Sequence, residues 1–491
     1  MLNNKQKLKK MKIISKTLRL LPLFLFVFAF QACSDDDDNN IVVPTPQNIV
    51  ELASSNPNLS SLVQAILAAD GDLATVLSGP GPFTVLAPTN DAFDAFLGDD
   101  ELSDIPTDVL EQVLRNHVIS GNITSSTLVG LGSGYERTLA AGAAGQNLSI
   151  YFDTTGGVSF NGVANVVTGG ADVEASNGTV HIIDGVIGLP TVVDHALANP
   201  AFSSLVAALS AADEDPDTDL IGTLSGAGTF TVLAPTNDAF TAFLDGASLG
   251  DIPNDVLTNV LLNHVLGSNI LANDLLTAGA GYNNTLAAGP NDAADNATNV
   301  SIYFNTSDGV VFNGVATVVV ADVVGTNGIV HAINAVINIP TVVTFALADP
   351  NFSTLVAALT DLTPNTDFAG ILSRTEGMNM DGINPNFTVF APTNDAFAAL
   401  AAVPDEPVLT QVLLHHVISE ANIVSGNLTD GVSPGMLNGQ NITINLPGTG
   451  DNIADVTDAA GNADIGIVAV DVQAGNGVIH VLNKVMLPAD E

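Results

Sequence analysis

The sequence predicts an α+β protein built from three tandem copies of one domain, each with helices at the front and a mostly antiparallel sheet behind. Three observations predict it. Phe83-Thr84-Val85-Leu86-Ala87-Pro88-Thr89-Asn90-Asp91-Ala92-Phe93 returns from Phe230 to Phe240 and again from Phe387 to Phe397, where Phe390 replaces the Leu. Asn116-His117-Val118 returns as Asn263-His264-Val265 and His415-His416-Val417, and Asn177-Gly178-Thr179-Val180-His181 as Asn327-Gly328-Ile329-Val330-His331 and Asn476-Gly477-Val478-Ile479-His480. The period, 147 and then 157 residues, is too long for a solenoid unit and suits whole domains. Within each copy, helical spacing gives way to alternation, the segregation expected of an α+β fold.

Each element has a local reason. Asn56-Pro57, Asn199-Pro200 and Asp349-Pro350 put a capping side chain before a proline whose missing N–H costs nothing at a helix start. Phe202, Leu205, Val206 and Leu209 then follow at helical spacing and form one apolar stripe. Phe83 to Ala87 is a short apolar run stopped by Pro88, which reads as a strand buried on both faces. Thr89 and Asp91 suit the start of a helix that turns Phe93 and Phe96 inward. Val109, Leu110, Val113, Leu114 and His117 make the inner face of another helix. Ile302-Tyr303-Phe304 and Val310-Val311-Phe312 flank Asp308-Gly309 and predict a hairpin. Each copy closes on alternation, as in Val330, Ala332 and Asn334 against His331, Ile333 and Ala335. Leu189-Pro190-Thr191 and Ile339-Pro340-Thr341 leave almost no linker, so the domains are expected at 48–189, 190–339 and 340–491 as a semi-rigid series.

The N-terminal segment reads differently. Lys5, Lys7, Lys9, Lys10, Lys12, Lys16 and Arg19 precede an apolar run from Leu20 to Phe30, the order of a signal peptide over 1–32. The run is about half the roughly twenty residues that a membrane-crossing helix needs. It ends at Cys33, the only cysteine in the chain, so an intramolecular disulfide and a redox dyad are excluded. Asp35, Asp36, Asp37 and Asp38 follow, and clustered carboxylates stay solvated, which makes 33–47 a tether. Beyond Arg19 only Arg115, Arg137, Arg374 and Lys484 stand against 52 acidic residues. Such a surface repels phosphate backbones and anionic headgroups, so nucleic-acid binding is excluded.

Two resemblances complete the reading. Ala32-Cys33 at the end of a signal resembles a bacterial lipobox, although Phe30 and Gln31 depart from its usual residues, and it implies an acylated Cys33. With the acidic run behind it, the segment resembles the surface-export signal of Bacteroidota lipoproteins, which implies an outer-membrane protein facing outward. The Thr-Val-Leu-Ala-Pro-Thr-Asn-Asp-Ala-Phe block and the Asn-Gly-x-Val-His-x-Ile block resemble the two signatures of fasciclin (FAS1) domains, three times each, from about Asn48 to Pro488. That implies an extracellular adhesion or matrix module. Animal members carry a Tyr-His pair tied to integrin binding, but the Tyr position holds Asn116, Asn263 and His415 here, so only generic adhesion carries over.

Catalytic signals are absent from the sequence. His117, His264, His416, His181, His331 and His480 recur at matched positions, yet none has an H-x-x-x-H or H-E partner, and buried imidazoles bridging backbone groups are the expectation. There is no G-x-S-x-G and no phosphate-binding glycine loop. Asp213, Asp215, Asp217 and Asp219 alternate as Ca²⁺ ligands can, but without the bend glycine and distal Glu of an EF-hand, so a solvated loop is expected. No cofactor is implied. The expected function is non-catalytic attachment to a cell-surface or matrix protein or polysaccharide, with membrane contact only through the lipid. The alternative is a surface carrier for an apolar ligand such as a carotenoid or lipid.

Overall fold

The structure is a computed structural model that describes residues 46–489. The signal, Cys33 and all but the last two residues of the tether lie outside them. Each copy is organised around one parallel strand pair. Phe83–Pro88 runs beside the closing strand Gly178–Ile183, paired from Phe83↔Gly178 to Pro88↔Ile183. Phe230–Pro235 with Gly328–Ile333, and Phe387–Pro392 with Gly477–Leu482, repeat it residue for residue. The other strand ladders are antiparallel, so the mostly antiparallel sheet expected from sequence is present with one parallel seam in it.

In copy 2 the sheet closes on itself. Val265–Leu266, Ala280–Ala288, Asn299–Asn305, Val311–Phe312, Ala316–Val324, Gly328–Ile333 and Phe230–Pro235 follow one another around a seven-stranded barrel. Copies 1 and 3 form open sheets of eight and six strands. Asp308-Gly309 sits in the hairpin that pairs Phe304 with Phe312. The closing strand departs from its expected one-sided burial, since all six residues of Gly328–Ile333 are buried. The seam divides two cores. Val232, Ala234, Val330 and Ala332 face the helices, while Leu233 and Ile333 face the barrel interior with Ile302, Phe304 and Phe312.

The helical layer also corrects the sequence reading in detail. A short helix precedes each Asn/Asp-Pro: Ile49–Ser55, Val192–Ala198 and Val342–Ala348. Asn56, Asn199 and Asp349 then cap single tight turns (Pro57–Leu59, Pro200–Phe202, Pro350–Phe352), and the long helices begin only at Ser60, Ser203 and Ser353. The turn lets Phe202 drop into the core before Leu205 and Leu209 follow it. Thr89 caps Asn90–Leu97 by accepting from the Ala92 N–H, as its position predicts. Phe93 is buried, whereas Phe96 is 40% exposed, and Val109 lies outside the stripe formed by Leu110, Val113 and Leu114. Both helices are covered on one side only, so the residue at the edge of a wide stripe stays in solvent.

Candidate functional site

The repeated motif residues converge inside the domains. His117 is buried at the end of helix Thr107–Asn116, its Nδ1 2.7 Å from the Val113 carbonyl oxygen, while the Ile187 N–H donates to its Nε2 at 2.9 Å. His264 makes the same two bonds with Val260 and Ile337, and His416 with Val412 and Met486. A carbonyl on one nitrogen and an N–H on the other fix a neutral ring protonated at Nδ1. Burial lowers each of the three from 6.5 to about 4.

Their neighbours are equally enclosed. Asn116 donates to the Gly188 carbonyl at 2.8 Å and accepts from Thr138 Oγ1, and Asn263 donates to Ile337 and Asn338. His415 lies against Asn438 Oδ1 at 3.1 Å. These three, at the position of the integrin-linked Tyr, are all fully buried and present nothing to a partner.

His181, His331 and His480 each place Nε2 2.8–2.9 Å from a backbone carbonyl, of Ile123, Ile270 and Ile423. Asp172 and Asp322 donate their backbone N–H to Nδ1 of His181 and His331. Both aspartates are left-handed, with φ 55° and 59°, and Asp322 lies at a bulge of its strand. The imidazoles tie loops to the seam, and none of them faces a cluster of three or more metal-ligating side chains among the described residues.

Sequence reasoning passed over two sets of asparagines. Asn177 donates to Leu77 and Gly79 and accepts from the Ile49 N–H, which clasps the first helix to the start of the closing strand. Asn327 and Asn476 do the same for copies 2 and 3. Asn90 accepts from the Ser61 N–H and donates to Pro57, as Asn237 and Asn394 do in their copies. The signal was present, because both asparagines stand inside the recurring blocks.

In the Asp213 to Asp219 loop, Asp213, Asp215 and Asp219 spend their carboxylates on backbone, and Asp217 gives its N–H. Asp213 accepts from the Leu220 and Ile221 N–H groups, Asp215 from Asp217 and Asp219 from Gly222, so they cap the helix Leu220–Ser225 and its approach. Ca²⁺ and Mg²⁺ at equal ionic strength are therefore expected to raise the melting temperature equally, by screening the net negative charge. A larger Ca²⁺ effect, lost in Asp215→Asn, would make the loop a specific site. The four basic residues among the described residues are likewise engaged. Arg115 pairs with Asp72 and Glu111, Arg374 with Asp381, Lys484 with Asp464, and Arg137 reaches the Asp322 carbonyl of copy 2.

The most developed polar–aromatic clusters lie between copies, and they contain all four tyrosines of the chain. At the first joint the Tyr135 ring stands 5.2 Å from Tyr151 and 5.8 Å from His195, edge-on to the latter, and Asn199 donates to its hydroxyl at 3.1 Å. At the second, Tyr282 lies 5.0 Å from Tyr303 and 5.6 Å from Phe345, and its hydroxyl donates to Asp349 at 3.0 Å. Burial pushes the Tyr135 phenol up to about 12, and burial beside Asp349 raises Tyr282 further. Ser149 Oγ accepts from the Val324 N–H and Ser301 Oγ from the Gln473 N–H, so a strand of one copy is pinned to a strand of the next. The capping residues Asn199 and Asp349 thus serve the following domain's own turn and the preceding domain's tyrosine at once.

Comparison with known proteins follows this architecture. The fasciclin domain family matches residues 57–190, 200–340 and 350–488. The chain is 27% identical over 467 residues to transforming growth factor-beta-induced protein ig-h3 of Sus scrofa, covering 91% of this chain and 59% of that protein. Human periostin is 23% identical over 426 residues, 84% of this chain and 44% of its own length. Protein sll1483 of Synechocystis is 42% identical over 142 residues, 28% of this chain and 72% of the relative. The chain thus spans well under two thirds of the two animal proteins. A solved FAS1 domain pair from the insect cell adhesion molecule fasciclin I aligns with TM-score 0.35 and 20% identity, over 57% of this chain and 96% of that one.

Proposed function

The chain belongs to the fasciclin-domain family, and from that membership we propose that it is a non-catalytic attachment protein, displayed at the outer surface of a cell and engaging a surface or matrix protein or polysaccharide. The observation that carries the proposal is the chain's investment in its joints. Three copies are held in series by repeated tyrosine clusters, while the signature histidines and asparagines are consumed inside each copy and offer no reactive group. Serial display is what weak, multiplied contacts require. Linking modules converts later binding events into intramolecular ones, and the gain reaches about 10² to 10⁴ without any new contact.

Attachment of the three-copy protein to cells or matrix is expected to fall far more than threefold when a single copy is presented instead, measured as adhesion at matched surface density. A fall of only threefold would leave each copy acting alone and sink the proposal. Nucleic acid is no partner on this reading, because Arg115, Arg374 and Lys484 are already paired with carboxylates on a strongly negative chain.

The anchor belongs to the same proposal. Acylation at Cys33 would hold the tether in the membrane, and Cys33→Ser is expected to move the protein into the soluble fraction and remove a lipid-sized mass. Unchanged membrane fractionation would place the anchor elsewhere.

A further inference from the structure

Copy 3 departs from copy 2 at one place that the joints do not use. Between the helices Val342–Ala348, Ser353–Thr360 and Phe368–Leu372 and the strand seam lies a cavity of about 240 Å³, walled almost wholly by aliphatic and aromatic carbon. Val343, Ala346, Leu355, Leu359 and Phe368 form its sides, and Leu347, 66% exposed, stands at its edge. The corresponding space in copy 2, among Val193, Ala196, Leu205 and Leu209, measures about 20 Å³.

Two substitutions of structure open it. Ile221 of copy 2 packs against the helix-side core, and Ala369 stands at the matching place in copy 3, next after the first residue of the helix. The helix Ser203–Ala212 continues through Ala211 and Ala212 onto the core, whereas its counterpart stops at Thr360.

A gap of this size in a packed core costs stability unless something fills it. Water gains little from walls that offer no hydrogen bonds, and apolar cavities of about 150 Å³ stay dry and take up benzene. We infer that copy 3 carries a binding site for a compact, uncharged apolar molecule of one or two rings, entered past Leu347 and Ala369. The space is too small to enclose a carotenoid or a diacyl lipid. Recognition is by shape and burial alone, so affinity follows apolar area and is indifferent to salt.

The test is a fluorescence titration of the full chain with naphthalene, run beside Ala369→Ile and Ala346→Leu, each checked for cooperative melting. Wild type is expected to saturate at one naphthalene per chain. Both variants, which fill the cavity from different walls, are expected to bind at least tenfold more weakly while melting at or above the parent temperature. Should Ala369→Ile fail to fold, Ala346→Leu decides. Absence of saturable uptake by wild type, or wild-type affinity in a folded variant, overturns the assignment. Because attachment to cells is not the readout, neither result depends on the proposed adhesive role.

Discussion

Acidification from pH 6.5 to pH 4 is expected to destabilise all three copies, and copies 2 and 3 more than copy 1. His117, His264 and His416 are held neutral inside the fold, lowered from 6.5 to about 4, and His195 of copy 2 is lowered to the same value. Burial is the cause in each case. A histidine with a depressed folded pKa contributes its full stability above 6.5, because neither state then binds the proton. As pH falls from 6.5 to about 4 the unfolded chain gains a proton that the folded chain refuses, and stability drops until the folded ring titrates too. The shift corresponds to about 3 kcal/mol per residue. Burial also lowers His331 in copy 2 and His480 and His415 in copy 3, so both copies stand to lose more than copy 1. Relief of self-repulsion acts in the opposite sense as carboxylates protonate, while Asp381 and Asp464, held low by Arg374 and Lys484, add to the loss. A difference measurement removes that background. His264→Gln is expected to cost about 1–3 kcal/mol at pH 7 through the Ile337 N–H and Val260 carbonyl. Its stability should then fall by one proton less than that of the parent between pH 6.5 and 4. Parallel losses in parent and variant would mean that His264 does not carry the effect.

The second large effect belongs to the joint between copies 2 and 3. Tyr282→Ala removes a half-buried ring from Tyr303 and Phe345 and leaves the Asp349 carboxylate, 5% exposed, without its phenol donor. The cost is expected to approach the lower end of the about 3–5 kcal/mol of a core aromatic. The loss falls on the contact between domains, so calorimetry is expected to split one transition into separately melting parts. Tyr282→Phe isolates the hydrogen bond to a charged acceptor, worth about 1.5–3 kcal/mol. Tyr135→Phe loses only the contact with the neutral Asn199, about 1 kcal/mol. If the two Phe variants cost the same, Asp349 is not the acceptor that matters.

Those joints were the part of the molecule that sequence reasoning left unread. Recurrence at long period made the copies legible, since a block as long as Phe83 to Phe93 repeated three times leaves little choice of architecture. Local chemistry made Thr89 legible as a cap and Asp308-Gly309 as a hairpin. The parallel seam was not legible, because the partner of Phe83 is Gly178, and period-two patterning carries no information about which strand lies alongside. The helix Val192–Ala198 was missed because β-branched residues at its start and a length of seven residues give no helical period to count. For the histidines and asparagines the sequence offered the recurrence but not the environment, and only burial separates a core staple from a displayed contact. The tyrosines did leave a trace. Gly134-Tyr135 and Gly281-Tyr282 match, as do Tyr151 and Tyr303 before Phe, and copy 3 has no tyrosine at all. Tyr135 and Tyr282, matched in copies 1 and 2, are the tyrosines that touch His195 and Phe345 of the copy that follows.

The asparagine clasp has a mechanical consequence for a chain under tension. The chain enters copy 2 through Pro190, whose carbonyl accepts from the Thr326 N–H at 2.8 Å, while Asn327 holds Val192 at 3.0 Å. It leaves beyond Ile333. The closing strand thus stands between the entry clasp and the segment that leads out, and that segment is itself bonded back to copy 2 through the Ile337 N–H on His264. The closing strand's six residues pair in parallel register with Phe230–Pro235, so the strand leaves only by giving up the whole ladder. Copies 1 and 3 share the clasp and the ladder, with Ser176 bonded to Gln47 and Gly475 to Pro340. Tension thus meets the same clasped seam three times in series, and how long each module survives traction is set by its unfolding rate under load.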